Sequence, residues 1–153
     1  MDETYQIDNL DRKILSLLQH DGRLAYTDIA KKLTVSPGTI HQRINKMTDA
    51  GIIKGTRLIL DYQKLGFDVT TLLGLYLKSA KDLNKVLEKL KSMKEVVDVY
   101  YTTGSYALII KIHHKSIKDY HQFLVDKLQS IPEIQSTESF ICLDQPIERA
   151  LYV

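Results

Sequence analysis

The stretch Thr34-Val35-Ser36-Pro37-Gly38-Thr39-Ile40 decides how the first sixty residues are interpreted. Ser36 is a favoured N-cap, and proline is favoured at the next position because its missing N–H is not needed there. The two residues before Ser36 leave room for only a tight connection. The helix that begins here has one apolar stripe, formed by Ile40, Ile44 and Met47.

Two shorter helical patterns precede this stretch. The first is predicted to begin after Asp8 as its N-cap and to end at Asp21-Gly22, with an apolar stripe of Leu10, Ile14, Leu17 and Leu18. The second is expected to have Thr27 as its N-cap and to bury Ile29, Ala30 and Leu33. The third helix is expected to end at Gly51. A first helix packed across two helices that a tight turn joins is the helix-turn-helix arrangement.

The face of the third helix opposite its apolar stripe carries the chemistry of this region. A step of about 100° per residue points Gly38, Gln42, Asn45 and Lys46 outward, with Thr39 and Arg43 on the flanks. Amide, hydroxyl and cationic groups can reach base edges and phosphates in a major groove, and free N–H groups at the helix start can contact a phosphate. The alternative is the solvated face of an ordinary three-helix bundle.

Charge distribution favours the DNA interpretation. Residues 22–57 contain seven cations and two anions, a local excess of five positive charges, whereas residues 58–153 contain twelve of each sign. Residues 51–60 are predicted to form a small wing of two short β-segments around a glycine turn, with Lys54 and Arg57 near the duplex backbone. The candidate DNA-contacting residues are Ser36, Gly38, Thr39, Gln42, Arg43, Lys46, Lys54 and Arg57.

The second half of the chain repeats itself. Residues 78–82 (Lys-Ser-Ala-Lys-Asp) recur at 115–119 (Lys-Ser-Ile-Lys-Asp), and the pattern of residues 92–96 recurs at 130–134. Each copy has the order strand, helix, strand. Two such copies predict a βαββαβ ferredoxin-like domain, an antiparallel sheet with both helices on one face.

The predicted chain is therefore of the α+β class: a winged helix-turn-helix domain over residues 1–60, a linker over 61–68 and a ferredoxin-like domain over 69–153. Both helices of the second domain are expected on one face of its sheet. The other face is then bare in a region rich in apolar and tyrosine residues. A bare apolar sheet usually marks an interface, so we expect this face to form a homodimer.

Several separate motifs resemble the Lrp/AsnC (feast/famine) family of regulators. They are residues 7–15, 21–23, 29–30, 35–40, 43–44, 51–53, 100–104 and 134–138. The resemblance extends over essentially the whole chain and is strongest to the asparagine-responsive members. It implies a transcription regulator of amino-acid metabolism genes whose dimers assemble further into a homo-octamer, and an amino-acid effector, asparagine, bound near the Gly104 turn at contacts between dimers.

The effector residues implied by this resemblance lie in two segments. They are Thr102, Thr103, Gly104, Ser105, Tyr106, Thr137 and Glu138. Many family members carry Gly-Asp-Tyr-Asp at the turn, where this chain has Gly104-Ser105-Tyr106-Ala107. The ammonium partner must then lie elsewhere, with Glu138 as the candidate, or the pocket differs. A neutral polar pocket suits a neutral amide side chain, whereas arginine or lysine would need a carboxylate.

Other functions are weighed against this one. The adjacent His113 and His114 point to opposite faces of a strand and cannot chelate one metal, and no nucleophile motif or phosphate-binding glycine loop occurs, so we expect no enzyme, metal or cofactor. The polar N-terminus, the lack of a long apolar run and the single Cys142 favour a cytoplasmic protein without a membrane segment or disulfide. A regulator responding to leucine or another amino acid, and an architectural DNA-wrapping protein without an effector, remain alternatives.

Overall fold

A computed structural model describes residues 5–151 and residue 153 of the chain. The chain divides into two compact units, Met1–Ile59 with Ile147–Val153, and Leu60–Pro146. These bounds differ from the predicted ones at both ends of the second domain, because the tail joins the first unit, where the Gln19 side-chain amide donates to the Leu151 carbonyl (3.0 Å). The first four residues of the predicted domain 1–60, and Tyr152, lie outside the described residues.

The first unit contains three helices, α1 (Asn9–His20), α2 (Tyr26–Leu33) and α3 (Pro37–Asp49). Asp8 caps α1 and Ser36 caps α3, as predicted, each accepting a hydrogen bond from a backbone N–H three residues later. The predicted Thr27 cap of α2 is wrong. This helix begins two residues earlier than that cap implies, because the carbonyl of Ala25 accepts the first helical N–H groups and Thr27 already lies in the first turn.

The predicted apolar stripes meet in one core. Its buried members are Ile14, Ile29, Ala30, Ile40, Ile44 and Met47. The turn between α2 and α3 is tight because Thr34 adopts a left-handed conformation (φ 57°), which ends α2 and redirects the chain at once. Gly51 (φ 72°) ends α3 in the same way, as predicted. The helix-turn-helix is thus confirmed.

The predicted wing strands are absent from residues 51–60, all of which are described and lack β-structure. Leu58 and Ile59 leave 78% and 86% of their surfaces exposed. A strand forms only against a partner that accepts its backbone hydrogen bonds, and the described chain offers none to this segment. The sequence therefore predicted β-segments for which the described residues offer no partner strand.

The second unit has the predicted βαββαβ order, with strands β1 (Val69–Leu77), β2 (Val96–Tyr101), β3 (Leu108–His114) and β4 (Ile134–Cys142). Helix α4 (Leu83–Lys91) follows a single 3-10 turn, Ala80–Asp82, and α5 (Ile117–Phe123) continues into a π-helical turn, Leu124–Leu128. The sheet order is β2-β3-β1-β4 and all neighbours are antiparallel, which is the ferredoxin-like topology.

The two faces of this sheet differ in burial. On β1, Leu73 and Leu75 are fully buried with the apolar residues of both helices. Leu72, Gly74 and their cross-strand partners point to the other side, here called the helix-free face and defined by Leu72, Gly74, Tyr100, Ile109, Glu138 and Phe140. Leu72, Tyr100 and Phe140 on this face are 37%, 55% and 46% exposed. The predicted bare face is present.

The predicted linker is ordered as part of the second unit. Its residues form a turn in which the N–H of Phe67 donates to the carbonyl of Tyr62 (2.9 Å). The ring of Tyr62 stacks on the ring of His113, with centroids 4.7 Å apart, and Thr70 Oγ1 lies 2.9 Å from His113 Nδ1. Aromatic side chains therefore hold residues 61–68 on the sheet unit, which composition alone did not indicate.

Candidate nucleic-acid interface and effector site

The outer face of α3 has the predicted exposure. Gly38, Gln42 and Lys46 are exposed, and Thr39 on the flank is half-buried. The hydroxyls of Ser36 and Thr39 lie 2.8 Å apart, so the two side chains that begin the helix hold each other while also capping it. The start of α3 is therefore a rigid polar surface, and the exposed side chains of Gln42 and Lys46 can extend from this helix toward a ligand.

Arg43, a predicted DNA-contacting residue, is paired with carboxylates of its own chain. Its guanidinium donates to the carboxylates of Asp8 and Asp11, the latter at 3.1 Å. Asp11 is fully buried and also accepts a hydrogen bond from the Tyr5 hydroxyl (2.9 Å). Hydrogen bonding to Arg43 lowers the pKa of Asp8, and the two carboxylates raise the pKa of Arg43. The structure therefore ties Arg43 to α1, a contact that the helix periodicity did not predict.

The remaining predicted cations, Lys54 and Arg57, lie in the extended segment after α3 and are exposed. Their side chains form none of the ion pairs found among the described residues. Unpaired cations on an extended segment can approach phosphates without first breaking a contact within the protein.

The turn between β2 and β3 is closed at its base and open at its tip. The Thr102 N–H donates to the Ala107 carbonyl (3.1 Å), and the Thr102 hydroxyl donates to the Tyr106 carbonyl. Thr103, Gly104 and Ser105 are exposed at the tip. A Cβ added to Gly104 would lie in open space apart from Thr102 Oγ1 at 3.9 Å, so the glycine leaves room that the fold itself does not fill.

Two of the predicted effector residues meet on the helix-free face. The hydroxyl of Tyr106 donates to the carboxylate of Glu138, and this bond and partial burial raise the pKa of Tyr106 to about 12. Thr137 is not part of this group, because it pairs with the buried Leu75 and so points to the helix-covered side of the sheet. The structure thus brings Glu138 to the turn through Tyr106 and separates Thr137 from it.

Sequence reasoning missed Gly74 in the middle of β1. A Cβ at this position would lie 2.5 Å from Cδ1 of Tyr106, a distance that no real structure tolerates. The ring of Tyr106 therefore crosses β1 through the gap that Gly74 leaves. The available signal was a glycine inside an otherwise apolar strand, which often marks a close approach.

A surface pocket of about 380 Å³ lies away from these residues, at the ends of α4 and α5. Its lining consists of Lys89, Ser92, Met93, Asp126, Lys127, Ser130 and Ile131. Both lysines are engaged across the internal repeat, Lys89 with Glu133 (2.7 Å) and Lys127 with Glu95 (2.5 Å). None of these residues was a predicted effector residue, and the ion pairs give the lysines a structural role.

The described part of the chain contains no helix long and apolar enough to cross a membrane. Among the same residues, no group of three or more histidine, cysteine, aspartate or glutamate side chains could hold a metal ion.

Two family models match the chain. One, the Lrp/AsnC ligand binding domain, covers residues 70–152, and the other, a winged helix-turn-helix DNA-binding model, covers residues 7–54. The regulatory protein AsnC of Haemophilus influenzae is 51% identical over 145 residues, which are 95% of this chain and 97% of that protein. The regulatory protein AsnC of Escherichia coli K12 is 50% identical over 149 residues, 97% of this chain and 98% of that protein.

Solved structures agree with these matches. The structure of Escherichia coli AsnC superposes with a TM-score of 0.93 at 48% identity, covering 97% of this chain and all of that one. The transcriptional regulator NMB0573 of Neisseria meningitidis, solved as a complex with L-methionine, superposes with a TM-score of 0.89 and covers 94% of each chain. Its identity of 21% extends the agreement to the fold alone.

Proposed function

This chain belongs to the Lrp/AsnC family of DNA-binding transcription regulators, and we propose that asparagine controls its occupancy of specific DNA sites. It has the helix-turn-helix and the amino-acid ligand-binding domain of that family, and its relatives are regulators and not enzymes. The asparagine response, the residues that mediate it and the assembly are the parts that we infer. A regulator of this kind acts in the cytoplasm, where its DNA is.

The proposed DNA surface is the exposed face of α3 with the segment that follows it. Gln42 and Lys46 are the candidates for reaching base edges, because both are exposed on a rigid helix. At the N-terminus of α3, a phosphate is contacted by the backbone N–H of Gly38 and by the hydroxyls of Ser36 and Thr39, since the N–H of Thr39 already donates to Ser36. Lys54 and Arg57 contact the backbone of the duplex. Arg43, which lies on α3, is bound to Asp8 and Asp11 at the start of α1 and supports this surface without reading a base, in contrast to the role predicted from the sequence.

The observation that carries the effector proposal is the carboxylate of Glu138, held beside the turn at residues 102–107 by Tyr106. An amino acid needs one anionic partner for its ammonium, and Glu138 supplies it. Exposed N–H groups at Gly104 and Ser105 then receive the α-carboxylate, and the hydroxyls of Thr103 and Ser105 bond the side-chain amide. Ser105 and Ala107 provide no second carboxylate, which favours a neutral side chain over lysine or arginine. The name AsnC of the half-identical relatives supports asparagine.

The proposed assembly begins with a dimer through the helix-free face, whose exposed Leu72, Tyr100 and Phe140 are apolar groups that a second copy covers. Leu58 and Ile59 supply a further apolar segment that finds no cover within its own chain. Four such dimers form the octamer that the family resemblance implies. Glu138 and Tyr106 lie on the face that the dimer covers, and the turn at residues 102–107 is too exposed in one chain to enclose a ligand, so we infer that a neighbouring subunit encloses the effector at this turn.

Calorimetry on the full chain tests this proposal. Asparagine, glutamine, aspartate and leucine are titrated separately into wild type and Glu138→Gln, at a protein concentration at which ultracentrifugation has established the assembly. We expect saturable heat from asparagine, much weaker heat from aspartate and leucine, and loss of the asparagine signal in the variant. Tight leucine binding without heat from asparagine overturns the ligand, and heat from none of the four favours a DNA-wrapping protein without an effector.

A further inference from the structure

We propose that Gly74 is a positioning residue for effector binding: the gap that it leaves in β1 lets Tyr106 lie across the sheet and hold the carboxylate of Glu138 ready for the ligand. This inference rests on the proposed function and adds a residue that does not itself touch the ligand. Gly74 acts through Tyr106, and Tyr106 acts through Glu138.

The backbone at Gly74 does not require a glycine. The positive-φ glycines of the described chain are Gly51, Gly55 and Gly66, so Gly74 has a conformation that any residue adopts in a strand. Glycine in a strand interior lowers stability, since it offers no side chain to pack and loses more entropy on folding. The backbone conformation therefore does not explain a glycine at position 74. The explanation is the group that fills the space where a side chain would lie.

That place is occupied by the ring of Tyr106. A Cβ at Gly74 would meet three ring atoms, Cδ1 at 2.5 Å, Cγ at 2.6 Å and Cε1 at 2.7 Å. The clash includes Cγ, the ring atom nearest the backbone, so rotation of the ring about its own axis cannot relieve it. Any larger residue at position 74 must turn the whole side chain of Tyr106 away from β1.

Neighbouring rings fix the direction of Tyr106 once it lies over Gly74. Tyr76 contacts it edge-on with centroids 5.1 Å apart, and Phe140 does so at 6.2 Å. Glu138 pairs with Gly74 across β1 and β4, which puts its carboxylate on the same face as the gap. The hydroxyl of Tyr106 consequently ends at this carboxylate.

This arrangement matters for binding because Glu138 is an exposed residue. A free exposed glutamate samples several rotamers, and a ligand that uses one of them must order the side chain on binding. The Tyr106 hydroxyl orders the carboxylate beforehand and occupies one of its acceptor positions, which leaves the others for an ammonium group. This bond raises the pKa of Tyr106, so a titration of the Tyr106 hydroxyl can report whether the bond is present.

The experiment compares wild type with Gly74→Ala, Tyr106→Phe and the double variant, all as full chains. Tyrosine ring carbons labelled next to the hydroxyl are followed by NMR from pH 8 to 11, and the Tyr106 resonance is assigned by its loss in Tyr106→Phe. In wild type we expect Tyr106 to remain largely un-ionised at pH 11, so that its resonance barely shifts. In Gly74→Ala we expect Tyr106 to titrate near pH 10, the ordinary value for tyrosine. Tyr101→Phe, which changes an exposed tyrosine on β2, is the matched control and is expected to leave the Tyr106 resonance unchanged.

Asparagine affinity is measured on the same set. Gly74→Ala and Tyr106→Phe are each expected to weaken binding at least tenfold, and the double variant no further, because the hydroxyl is already out of reach once position 74 carries a side chain. Unchanged titration and unchanged affinity in Gly74→Ala overturn the proposal. If wild type binds no amino acid, the effector proposal fails on its own, while the titration still decides whether Gly74 positions Tyr106.

Discussion

On the outer face of α3, Gln42 and Lys46 are exposed and free on a rigid helix, whereas beside the turn at residues 102–107 the carboxylate of Glu138 is already held by Tyr106. The difference fits the two ligands that we propose for these surfaces. A duplex is a large polyanion that exposed side chains reach from one side, so the protein needs only a rigid surface of the right charge. A free amino acid is bound by several groups at once, and each group that is ordered beforehand lowers the cost of binding.

The helix-turn-helix and the turn at residues 102–107 also differ in how much of each surface one chain provides. The helix-turn-helix has its core, its caps and its exposed face within residues 5–59. The turn at residues 102–107 has a closed base and an open tip, and the proposed function requires another copy to enclose a ligand there.

The largest effect is expected from Arg43→Ala. This change leaves the buried Asp11 without its charged partner, and breaking a buried pair from one side costs about 3 kcal/mol or more in the free energy of unfolding. Urea unfolding followed by circular dichroism measures it, with Arg43→Lys as the control that retains the charge. Normal stability combined with loss of discrimination between operator and random DNA would mean that Arg43 reads a base after all.

Gln42→Ala is expected to act on DNA alone. Gln42 is exposed, so the free energy of unfolding stays within roughly 0.5 kcal/mol, while affinity for a specific site falls by about 1–3 kcal/mol if the amide reads an adenine edge. Fluorescence anisotropy with specific and random duplexes separates the two. Equal losses on both duplexes would assign Gln42 to the phosphates, and no loss would move the DNA surface away from α3.

His114 is expected to give the sheet unit a sensitivity to acid. Within the described part of the chain, both ring nitrogens of His114 are buried without a hydrogen-bond partner, and burial lowers its pKa below the ordinary 6.5. The folded state then binds fewer protons than the unfolded state, so stability falls as pH drops below 6.5, by at most about 1.4 kcal/mol per pH unit from this group.

Urea unfolding of the sheet unit at pH 7.5 and 5.5 tests this expectation, with His114→Phe as the comparison. The phenyl ring fits among Tyr120 and Phe123, which already contact His114, and it does not titrate. We expect the variant to lose less stability than wild type between the two pH values. An identical loss in both proteins would assign the acid sensitivity to other groups.

Lys54→Ala is expected to have the smallest effect. Lys54 lies on the exposed extended segment after α3, where a phosphate contact carries no sequence information. Affinity should fall about equally for specific and random duplexes, and the slope of log affinity against log salt should flatten by about one. Lys64→Ala, in the turn of the sheet unit, is the control and leaves the slope unchanged. An unaltered slope in Lys54→Ala would remove this segment from the DNA surface.

Local patterns predicted the helices, their caps at Asp8 and Ser36 and the duplicated βαβ units, because these features depend on spacing within a few residues. Apart from the misplaced cap at Thr27, the failures involve partners distant in sequence. Helical periodicity gave the direction of Arg43 but not the carboxylates 32 and 35 residues away.

The two β-segments predicted for residues 51–60 likewise did not form, since pairing needs a second backbone. The glycine at position 74 is explained only by the ring of Tyr106, and sequence spacing does not connect these two residues. Tyr106 and Glu138 were both named as effector residues, but their contact was not predicted.

The measurement that tests the central claim most directly is operator affinity with and without saturating asparagine, in wild type and in Glu138→Gln. The account predicts a shift of severalfold to about a hundredfold in wild type, corresponding to a coupling free energy of about 1–3 kcal/mol. It predicts no shift in the variant, whose affinity without asparagine stays that of wild type. An operator affinity in wild type that asparagine leaves unchanged, or an equal shift in Glu138→Gln, would contradict it.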